Sequence, residues 1–362
     1  KQKASQDRPM RPLVIFGGSF DPIHNGHLRI ARVAADKYEA DGVFVLAKTP
    51  RWKNITESEQ NRLDMLKAAL EEINDPRFSC STIELEREGD FSYSIDTVKA
   101  FSEMYPGRKL YTLIGADQVN QFDRWRECEG IAERSTIIFS NRPGIEINQA
   151  NVKRFKMEDL NFYSSGEVSS TRVRVLNFMD IPLSVYSYII HNHLYFMKEL
   201  EMYITPKRLK HSESVALVAY KIALSNFGQE MAEKALITGL IHDLGKKMPE
   251  FQAREIMKKE YPDYQDYPEY ALHQWTGAYL AKNVMGVEDE SILLAIKYHC
   301  TGRAGMTALE KIIYSADKIE PTRGYDSSDM IRACIEDYEK GFRYVLDENM
   351  KFLSNKPLGE QN

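Results

Sequence analysis

The chain has 362 residues, more than a single ordinary hydrophobic core needs, and this length predicts two domains. Its composition, 43% apolar and 28% charged, is that of a globular protein, and the absence of an apolar run of about 18 residues excludes a membrane span. A net charge of −5 argues against a basic surface for binding nucleic acid. The four cysteines are widely spaced, which argues against a disulfide framework and indicates a reducing cytoplasm.

The stretch from Val14 to Ala31 reads VIFGGSFDPIHNGHLRIA and carries the strongest signal in the chain. Its continuous apolar start predicts a buried strand of a parallel sheet, and its later spacing predicts a helix that begins near His27. Gly17 and Gly18 would let a phosphate approach the main-chain N–H groups between strand and helix. His24 and His27 could face the same anion, which favours phosphoryl or nucleotidyl transfer.

The string GGSFDPIHNGHL resembles the signature of nucleotidyltransferases with the (H/T)-x-G-H motif, in particular the nicotinic acid mononucleotide adenylyltransferases. The resemblance covers about 11–195. It implies a doubly wound α/β fold with a Rossmann-like parallel sheet. It also implies magnesium and the substrates ATP and nicotinate mononucleotide, which are joined to deamido-NAD with release of pyrophosphate. The residues it places at the ATP phosphates are Gly17, Gly18, Ser19, Phe20, His24 and His27.

Short apolar runs alternate with helical patterns through the rest of the first half. The predicted strands are 43–47, 78–85, 110–114 and 136–140. An apolar stripe between residues 63 and 73 predicts a helix. Ligands bind where the strands of an open α/β sheet end, so we expect the site at these strand ends.

The resemblance also places four residues beside nicotinate mononucleotide. They are Lys53, Ser94, Thr97 and Trp125. The loop KTPRWKN has Trp52 where the family, reading close to P-P-H-K, has a histidine. Solvated cations, helix capping and core packing are competing explanations for the four residues. Asp117, in GADQVNQFDRW, is placed near the ribose of the nucleotide.

The last signal of the first half is EVSSTRVRVL. Ser169, Ser170 and Thr171 are strong N-cap types at a helix entry, and Arg174 follows one turn later. Capping alone would explain the hydroxyl side chains. Together with the histidine turn, the string resembles the family's I-S-S-T-x-x-R motif, which implies that these residues hold the leaving pyrophosphate.

The pattern changes beyond about Lys198. The segment LSVYSYIIHNHLY predicts a closing helix, on which His191 and His193 are interpreted as surface or packing residues. Strand patterns then stop, and long amphipathic helical segments follow a short connection near 202–207.

These changes predict the domain limits. We expect an α/β adenylyltransferase domain over 10–198 and an all-α domain over 203–350. Residues 1–9 are polar and patternless, and we expect the native chain to begin at Met10.

The second half contains a small, ordered set of metal-ligand residue types. They are His211, His242, Asp243, His273, His299 and Asp317. Each lies in or beside a helical pattern, so several helices could direct them to one bundle core. A predominance of imidazole favours two transition-metal ions, iron or else manganese, zinc or cobalt, over magnesium. Asp243 is the predicted bridge, since one carboxylate can span two cations.

The strings RLKHS, HDLGK and AIKYHCTGRAGMTALEKIIYSADKIEP resemble HD-domain phosphohydrolases over about 207–345, and the YqeK-like branch in particular. The resemblance implies hydrolysis of diadenosine tetraphosphate into two ADP. Lys246 and Arg303 are candidate phosphate contacts, with ordinary exposed cations as the alternative. The family usually has a glycine after the third ligand, whereas this chain has Gln274, which puts the shape of that loop in doubt.

The tyrosine-rich stretch YPDYQDYPEY, just before His273, is broken by Pro262 and Pro268 and therefore predicts a loop. A lid that stacks on adenine and a solvated linker are both open interpretations.

These signals together predict a bifunctional cytoplasmic enzyme that acts on ATP, nicotinate mononucleotide and diadenosine tetraphosphate, with neither nucleic acid nor membrane as a partner. The candidate catalytic residues are His24, His27, Arg174, Asp243 and Lys246. Alternatives for the first domain are nicotinamide mononucleotide and phosphopantetheine as acceptors. The second domain could hydrolyse another nucleotide, or bind metal as a sensing or dimerising module. Assembly into a homo-oligomer is also open.

Overall fold

The computed structural model describes residues 10–48, 55–89, 91–163, 169–170, 173 and 180–356. The chain divides into two compact units, and among the described residues the first ends at Asn192 and the second begins at His193. Three predicted site residues, Lys53, Thr171 and Arg174, lie outside the described residues. The domain limits 10–198 and 203–350 stay a prediction.

The first unit is built on a six-stranded sheet with the order β3-β2-β1-β4-β5-β6. The strands are β1 Leu13–Gly18, β2 Asp41–Leu46, β3 Phe78–Ser81, β4 Leu110–Gly115, β5 Thr136–Asn141 and β6 Glu158–Tyr163. All five neighbouring pairs are parallel. The strand order reverses between β1 and β4, and ligands bind beyond the carboxyl ends of the strands at such a point. The predicted doubly wound α/β fold is confirmed.

Apolar side chains cover both faces of this sheet. Ile15 and Val43 belong to the core cluster on one face, while Val14 and Leu113 belong to the cluster on the other. Successive side chains of a strand point to opposite faces, so a strand buried on both sides must be apolar without interruption. This requirement explains the continuous apolar runs from which the strands were predicted.

The helices of the first unit connect and cover these strands. Their bounds are Asn25–Lys37, Glu59–Ile73, Ser94–Met104, Ala116–Val119, Cys128–Arg134, Gln149–Arg154 and Leu183–His191, with a 3-10 turn at Phe122–Arg124. The helices predicted near His27 and across the stripe from residue 63 to 73 are therefore present.

Three local details differ from expectation. The predicted strand 78–85 ends at Ser81, because the next residues form a turn. β6 lies outside the predicted strands, since its sequence EDLNFY mixes acidic and apolar residues at the sheet edge. The closing helix stops at His191, and His193 has a left-handed φ of 55° that an α-helix cannot accommodate.

The described part of the second unit consists of helices without strands. The bounds of its α-helices are Phe196–Tyr203, Pro206–Phe227, Gln229–Ile241, Glu250–Glu260, Glu269–Asn283, Glu290–Tyr298, Ala308–Ile319, Ser328–Glu336 and Tyr338–Ser354. The predicted all-α domain is confirmed. Across the described ranges of both units, no helix combines the length and apolar character that crossing a bilayer requires.

Two glycines allow close helix contacts in the second unit. A Cβ on Gly239 would lie 2.5 Å from the Cα of Ala216, and a Cβ on Gly245 would lie 2.4 Å from the carbonyl oxygen of His273. Larger residues would therefore push the backbones apart. The glycines bring the turn at His242 against two neighbouring helices and so position its side chain.

Candidate functional sites

The carboxyl ends of β1, β2 and β4 open into a cavity of about 570 Å³ in the first unit. Its walls include seven of the predicted nucleotide and mononucleotide contacts: Gly17, Gly18, Ser19, Ser94, Thr97, Asp117 and Trp125. A Cβ on Gly17 would meet nothing within 4 Å, so protein packing does not require a glycine there. The structure thus brings seven of the twelve described site residues predicted in this half to one cavity.

His24 and His27 form a reciprocal cap on the first turn of the helix Asn25–Lys37. The main-chain N–H of His27 donates to Nδ1 of His24 over 3.3 Å, and that of His24 donates to Nδ1 of His27 over 3.2 Å. The rings stack with their centroids 3.5 Å apart. Because both Nδ1 atoms accept, each neutral ring carries its proton on Nε2. The backbone therefore fixes the tautomer that can donate to an anion.

Burial keeps His24 neutral. The residue is 7% exposed, and burial, followed by the charges of Arg29 and Arg142, lowers the pKa of His24 to about 3. Phe20 is buried beside this turn, and its ring meets that of His27 edge-on at 5.1 Å. At neutral pH the His24 ring is therefore a neutral hydrogen-bond donor.

The buried neutral His24 predicts acid sensitivity of the first unit. In the unfolded chain this histidine has a pKa near 6.5, so its contribution is complete above that pH and is lost as the pH falls toward 3. From about pH 7.5 to 5.5 we expect the wild type to lose about 1.4 kcal/mol more stability than His24→Asn, in which asparagine keeps the N-cap. Hydrogen exchange of the β1 amides measures this difference. Equal losses in the two proteins would contradict it.

The predicted motif that contains Ser169 and Ser170 contacts the turn that carries His24. The Oγ of Ser170 donates to the carbonyl of Pro22 over 2.9 Å, two residues before His24. The main-chain N–H of Val173 donates to the carbonyl of Ser169 over 3.1 Å, which begins a helical turn. The structure thus places the two described serines of the motif beside the histidine turn.

A buried arginine that the sequence patterns missed supports the glycine turn. Arg62 is 0% exposed, and its Nη1 donates to the carbonyls of Ser19 and Ala47 over 2.7 and 3.1 Å. Both of these residues also line the cavity. Arg62 precedes the apolar stripe that begins at Leu63, so spacing alone gives no signal that its charge is buried.

Thr97 and Trp125 have structural contacts as well as cavity positions. Thr97 Oγ1 donates to Glu84 Oε1 over 2.7 Å and accepts from Arg87 Nη1 over 2.9 Å. Burial raises the pKa of the Glu84 carboxyl. Trp125 is half-buried, and its ring centroid lies 5.1 Å from that of Phe122. Trp125 thus has the core packing named as its alternative, whereas Thr97 bonds other side chains, and the helix Ser94–Met104 has no side-chain cap bond. Both residues also line the cavity.

The six predicted ligands of the second unit converge around Asp243. Its Oδ2 lies 4.0 Å from Nε2 of His211 and 3.6 Å from Nε2 of His242. Its Oδ1 lies 3.7 Å from Nε2 of His273 and 3.6 Å from Nε2 of His299. One carboxylate oxygen therefore faces each pair of imidazoles, an arrangement that suits two cations sharing Asp243.

Asp317 adds a second carboxylate beside His211 and His242. Its Oδ1 lies 3.0 Å from Nε2 of His211 and 3.6 Å from Nε2 of His242. Burial alone would raise the pKa of Asp243 and that of Asp317. Neighbouring imidazoles outweigh this effect at both acids, and Lys318 adds to it at Asp317, so the pKa of each carboxyl lies well below its usual range. Both acids are thus ionised, as metal ligands must be.

Main-chain carbonyls orient three of the imidazoles. In each case Nδ1 of the ring lies close to the carbonyl oxygen of the residue three positions earlier. The distances are 2.7 Å for His242, 2.8 Å for His273 and 2.7 Å for His299. A carbonyl can only accept, so the proton is on Nδ1 and the lone pair of Nε2 is directed at the ligand cluster.

The Nε2 atoms that meet in this cluster do not satisfy one another's hydrogen-bonding capacity. Nε2 of His242 is buried and has no hydrogen-bond partner in the described part of the chain. Nε2 of His273 lies 3.2 Å from Nε2 of His299, and burial lowers the pKa of His273 to about 3, so a proton is not held there. Divalent cations would satisfy these nitrogens and the two carboxylates together. The second unit therefore has a site that fits metal ions.

Glu320, which was not predicted, orients the remaining imidazole. Its Oε1 lies 2.8 Å from Nδ1 of His211, and the residue is 1% exposed. The main-chain N–H and the hydroxyl of Thr322 each donate to Glu320 over 2.7 Å. A carboxylate behind a ligand histidine fixes its tautomer and raises its basicity. The spacing of three residues from Asp317 is the signal that could have identified Glu320.

Replacing this carboxylate should weaken metal binding. We expect Glu320→Gln to lower Mn²⁺ affinity by about 10- to 100-fold, because the ring of His211 loses its charged acceptor while the side-chain shape is kept. Calorimetric titration of the metal-stripped protein measures the affinity. Glu336→Gln, at an exposed position on another helix, is the matched control. Equal affinities for the two variants would disprove the orienting role.

The two predicted phosphate contacts differ in their surroundings. Lys246 is exposed, and it lies in the turn Leu244–Lys247, in which Gly245 packs against the main chain of His273. Arg303 donates two hydrogen bonds of 2.7 and 3.0 Å to Glu310 and lies over the ring of Tyr298 at 4.6 Å. A phosphate role for Arg303 stays a prediction.

Two other arginines, both missed from the sequence, contact the ligand carboxylates. Nη1 of Arg208 lies 3.2 Å from Oδ2 of Asp243, and Nη2 of Arg323 lies 2.9 Å from Oδ1 of Asp317. Arg208 precedes His211 by three residues on one helix, and this spacing is the signal that places both on the same face.

The loop expected after His273 is not found, because Gln274 continues the helix Glu269–Asn283. Gln274 is 0% exposed, and its Oε1 accepts the main-chain N–H groups of Cys300 and Thr301 over 3.1 and 3.3 Å. The glutamine side chain thus ties the helix of His273 to the residues that follow His299.

The tyrosine-rich stretch forms the predicted loop and packs on Trp275. The ring of Tyr264 stacks on Trp275 with centroids 4.2 Å apart. Tyr261 and Tyr267 contact the same indole at 5.3 and 5.9 Å. These contacts make three of the tyrosines part of an aromatic cluster, while residues 262–266 are exposed, and the lid and linker interpretations both stay predictions.

Comparison with known families divides the chain in the same way. Residues 15–175 match the family described as cytidylyltransferase-like, and residues 208–322 match the HD domain.

Two relatives match both halves. A Mycoplasma genitalium protein named "Probable nicotinate-nucleotide adenylyltransferase/Ap4A hydrolase" is 34% identical over 322 residues, which cover 86% of this chain and 88% of the relative. A Mycoplasma pneumoniae protein of the same name is 29% identical over 92% of this chain and 97% of the relative. A solved structure from Clostridium acetobutylicum, a "predicted HD superfamily hydrolase involved in NAD metabolism", is 36% identical over 47% of this chain and 87% of that chain, with a TM-score of 0.40. The chain belongs to the family of two-domain proteins that join a cytidylyltransferase-like nucleotidyltransferase to an HD hydrolase domain.

Proposed function

We propose that the first unit transfers the adenylyl group of ATP to nicotinate mononucleotide, forming deamido-NAD and pyrophosphate. The observation that carries this proposal is the single cavity that seven of the predicted contacts line. The stacked histidine pair and Ser170 lie at the adjoining turn. The names of the two mycoplasmal relatives support the same reaction.

In this reaction a 5′-phosphate oxygen of the mononucleotide attacks the α-phosphorus of ATP. The bond from that phosphorus to the oxygen bridging to the β-phosphate breaks, and pyrophosphate departs with the electron pair. The Nε2–H groups of His24 and His27 would bind the phosphate oxygens on which charge develops. Magnesium bound with ATP would supply further charge neutralisation. Lys53, Thr171 and Arg174, outside the described residues, are proposed to join Ser169 and Ser170 in this site.

Comparing acceptors tests the first assignment. The full-length protein is assayed with ATP and, separately, nicotinate mononucleotide, nicotinamide mononucleotide and phosphopantetheine. We expect the highest kcat/KM with nicotinate mononucleotide. Equal or better use of phosphopantetheine would reject the assignment.

We infer that the second unit hydrolyses diadenosine tetraphosphate into two ADP at a centre of two metal ions, iron or else manganese, zinc or cobalt. The observation that supports this inference is the position of Asp243, with one oxygen toward each pair of imidazoles. Bound cations would supply an activated water and neutralise charge on the phosphate. Lys246, in the turn that follows Asp243, is proposed to bind a phosphate oxygen.

Product analysis tests the second assignment and its alternatives. Two ADP from diadenosine tetraphosphate would support symmetrical hydrolysis, while AMP and ATP would contradict it. A sensing or dimerising module would bind metal without turnover of any nucleotide. We place both activities in the cytoplasm, as the free cysteines in the described residues are compatible with reducing conditions.

A further inference from the structure

The metal-ligand oxygens of the second unit are already engaged by arginine. Arg208 Nη1 lies 3.2 Å from Asp243 Oδ2, the oxygen that faces His211 and His242. Arg323 Nη2 lies 2.9 Å from Asp317 Oδ1, the oxygen that faces the same two imidazoles. Both guanidinium groups therefore bind the atoms that a cation on this side of the centre would use.

A cation and these arginines would carry positive charge to the same two carboxylates. The cluster contains two ionised acids, so without a metal ion it needs nearby positive charge. Guanidinium groups can supply that charge from outside the ligand cluster. A metal ion bound to these oxygens would repel the guanidinium groups, so we expect the arginine hydrogen bonds to lengthen or break when it binds.

Both arginine side chains are partly exposed, unlike the carboxylates that they contact. The side chains of Arg208 and Arg323 are 44% and 38% exposed, while those of Asp243 and Asp317 are 4% and 10% exposed. The carboxylates are thus fixed inside the unit, and the guanidinium groups reach them from its surface. Arg323 also donates Nε to the carbonyl of Asp317, which keeps it at the mouth of the site.

We propose that Arg208 and Arg323 form a phosphate subsite that opens when metal binds: they pair with the ligand carboxylates in the metal-free protein and bind polyphosphate oxygens in the metal-loaded protein. A guanidinium presents paired N–H donors that match phosphate as well as carboxylate, so one side chain serves both states. Lys246 lies in the turn Leu244–Lys247, in which Gly245 packs against the main chain of His273, so it offers a further cation to a polyphosphate chain across the centre. The identity of that ligand rests on the proposed hydrolase function.

Opposite changes in two affinities test the proposal. The full-length protein is stripped of metal and titrated with Mn²⁺ by calorimetry. The proteins compared are the wild type, Arg208→Gln, Arg323→Gln and Arg208→Lys. Asp243→Ala, which lacks a central ligand, gives the background heat. We expect each glutamine variant to bind Mn²⁺ about tenfold more tightly, because a competitor is removed. In the glutamine variants, the KM for diadenosine tetraphosphate should rise about tenfold, with a smaller change in kcat. The Mn²⁺ affinity and the KM of Arg208→Lys should both lie between those of the wild type and Arg208→Gln.

Lys246→Gln is the control for simple loss of positive charge, because it removes a cation from the turn Leu244–Lys247. If the arginine variants bind Mn²⁺ no more tightly than Lys246→Gln, direct competition is wrong. If they bind Mn²⁺ more tightly but keep the wild-type KM, the phosphate subsite is wrong. Absence of hydrolysis in the wild type would refute the proposed hydrolase function, while the Mn²⁺ titration would still decide whether the arginines compete with metal.

Discussion

Asp243→Ala is expected to lower hydrolysis of diadenosine tetraphosphate by more than about a thousandfold while adenylyl transfer keeps its wild-type rate. The carboxylate is the shared member of both ligand groups, with oxygens 3.6 Å from His242 and 3.6 Å from His299. Its loss should remove metal from both positions and with it the activated water. Metal content and both activities are measured on the same preparation.

Asp347→Ala is the matched control for this variant, because Asp347 is an exposed carboxylate on the last helix, Tyr338–Ser354. We expect it to keep its metal and both activities. Residual hydrolysis in Asp243→Ala within tenfold of the wild type would show that the carboxylate does not bridge the ions.

His27→Ala is expected to produce the reverse pattern. We expect kcat/KM for adenylyl transfer to fall by about 10²- to 10³-fold, the usual loss when one preorganised donor to a developing anion is removed. Hydrolysis in the second unit should not change. His27→Gln should retain more activity, since glutamine at this position can still accept the cap from His24 and still donate an N–H group.

His191→Ala is the control for the first unit, because His191 is an exposed histidine at the end of the helix Leu183–His191. Its adenylyl transfer should equal that of the wild type. A fall of less than about threefold in His27→Ala would mean that the stacked pair caps the helix without stabilising the reaction.

The ligand set of the second unit could be predicted because metal chemistry uses few residue types. Every histidine after position 193 is one of the four imidazoles around Asp243. In the first unit, the glycine turn and the histidine spacing predicted both the strand-to-helix geometry and the cavity position. These signals are local, since each motif lies within a few residues of the chain.

The residues missed from the sequence act over long separations. Arg62 supports the turn at Ser19 from 43 residues away, and Glu320 orients His211 from 109 residues away. Helical spacing shows which face of a helix a residue occupies, but it does not show which other helix will meet that face. Gln274 was visible only as a departure from the family pattern, and its two hydrogen bonds explain what the substitution does.

Anomalous diffraction from one crystal of the full-length protein soaked with Mn²⁺ tests the central claim most directly. Two peaks should appear on opposite sides of Asp243, one near His211, His242 and Asp317 and the other near His273 and His299. One peak only, or two peaks that do not share the Asp243 carboxylate, would contradict a bridged two-metal centre.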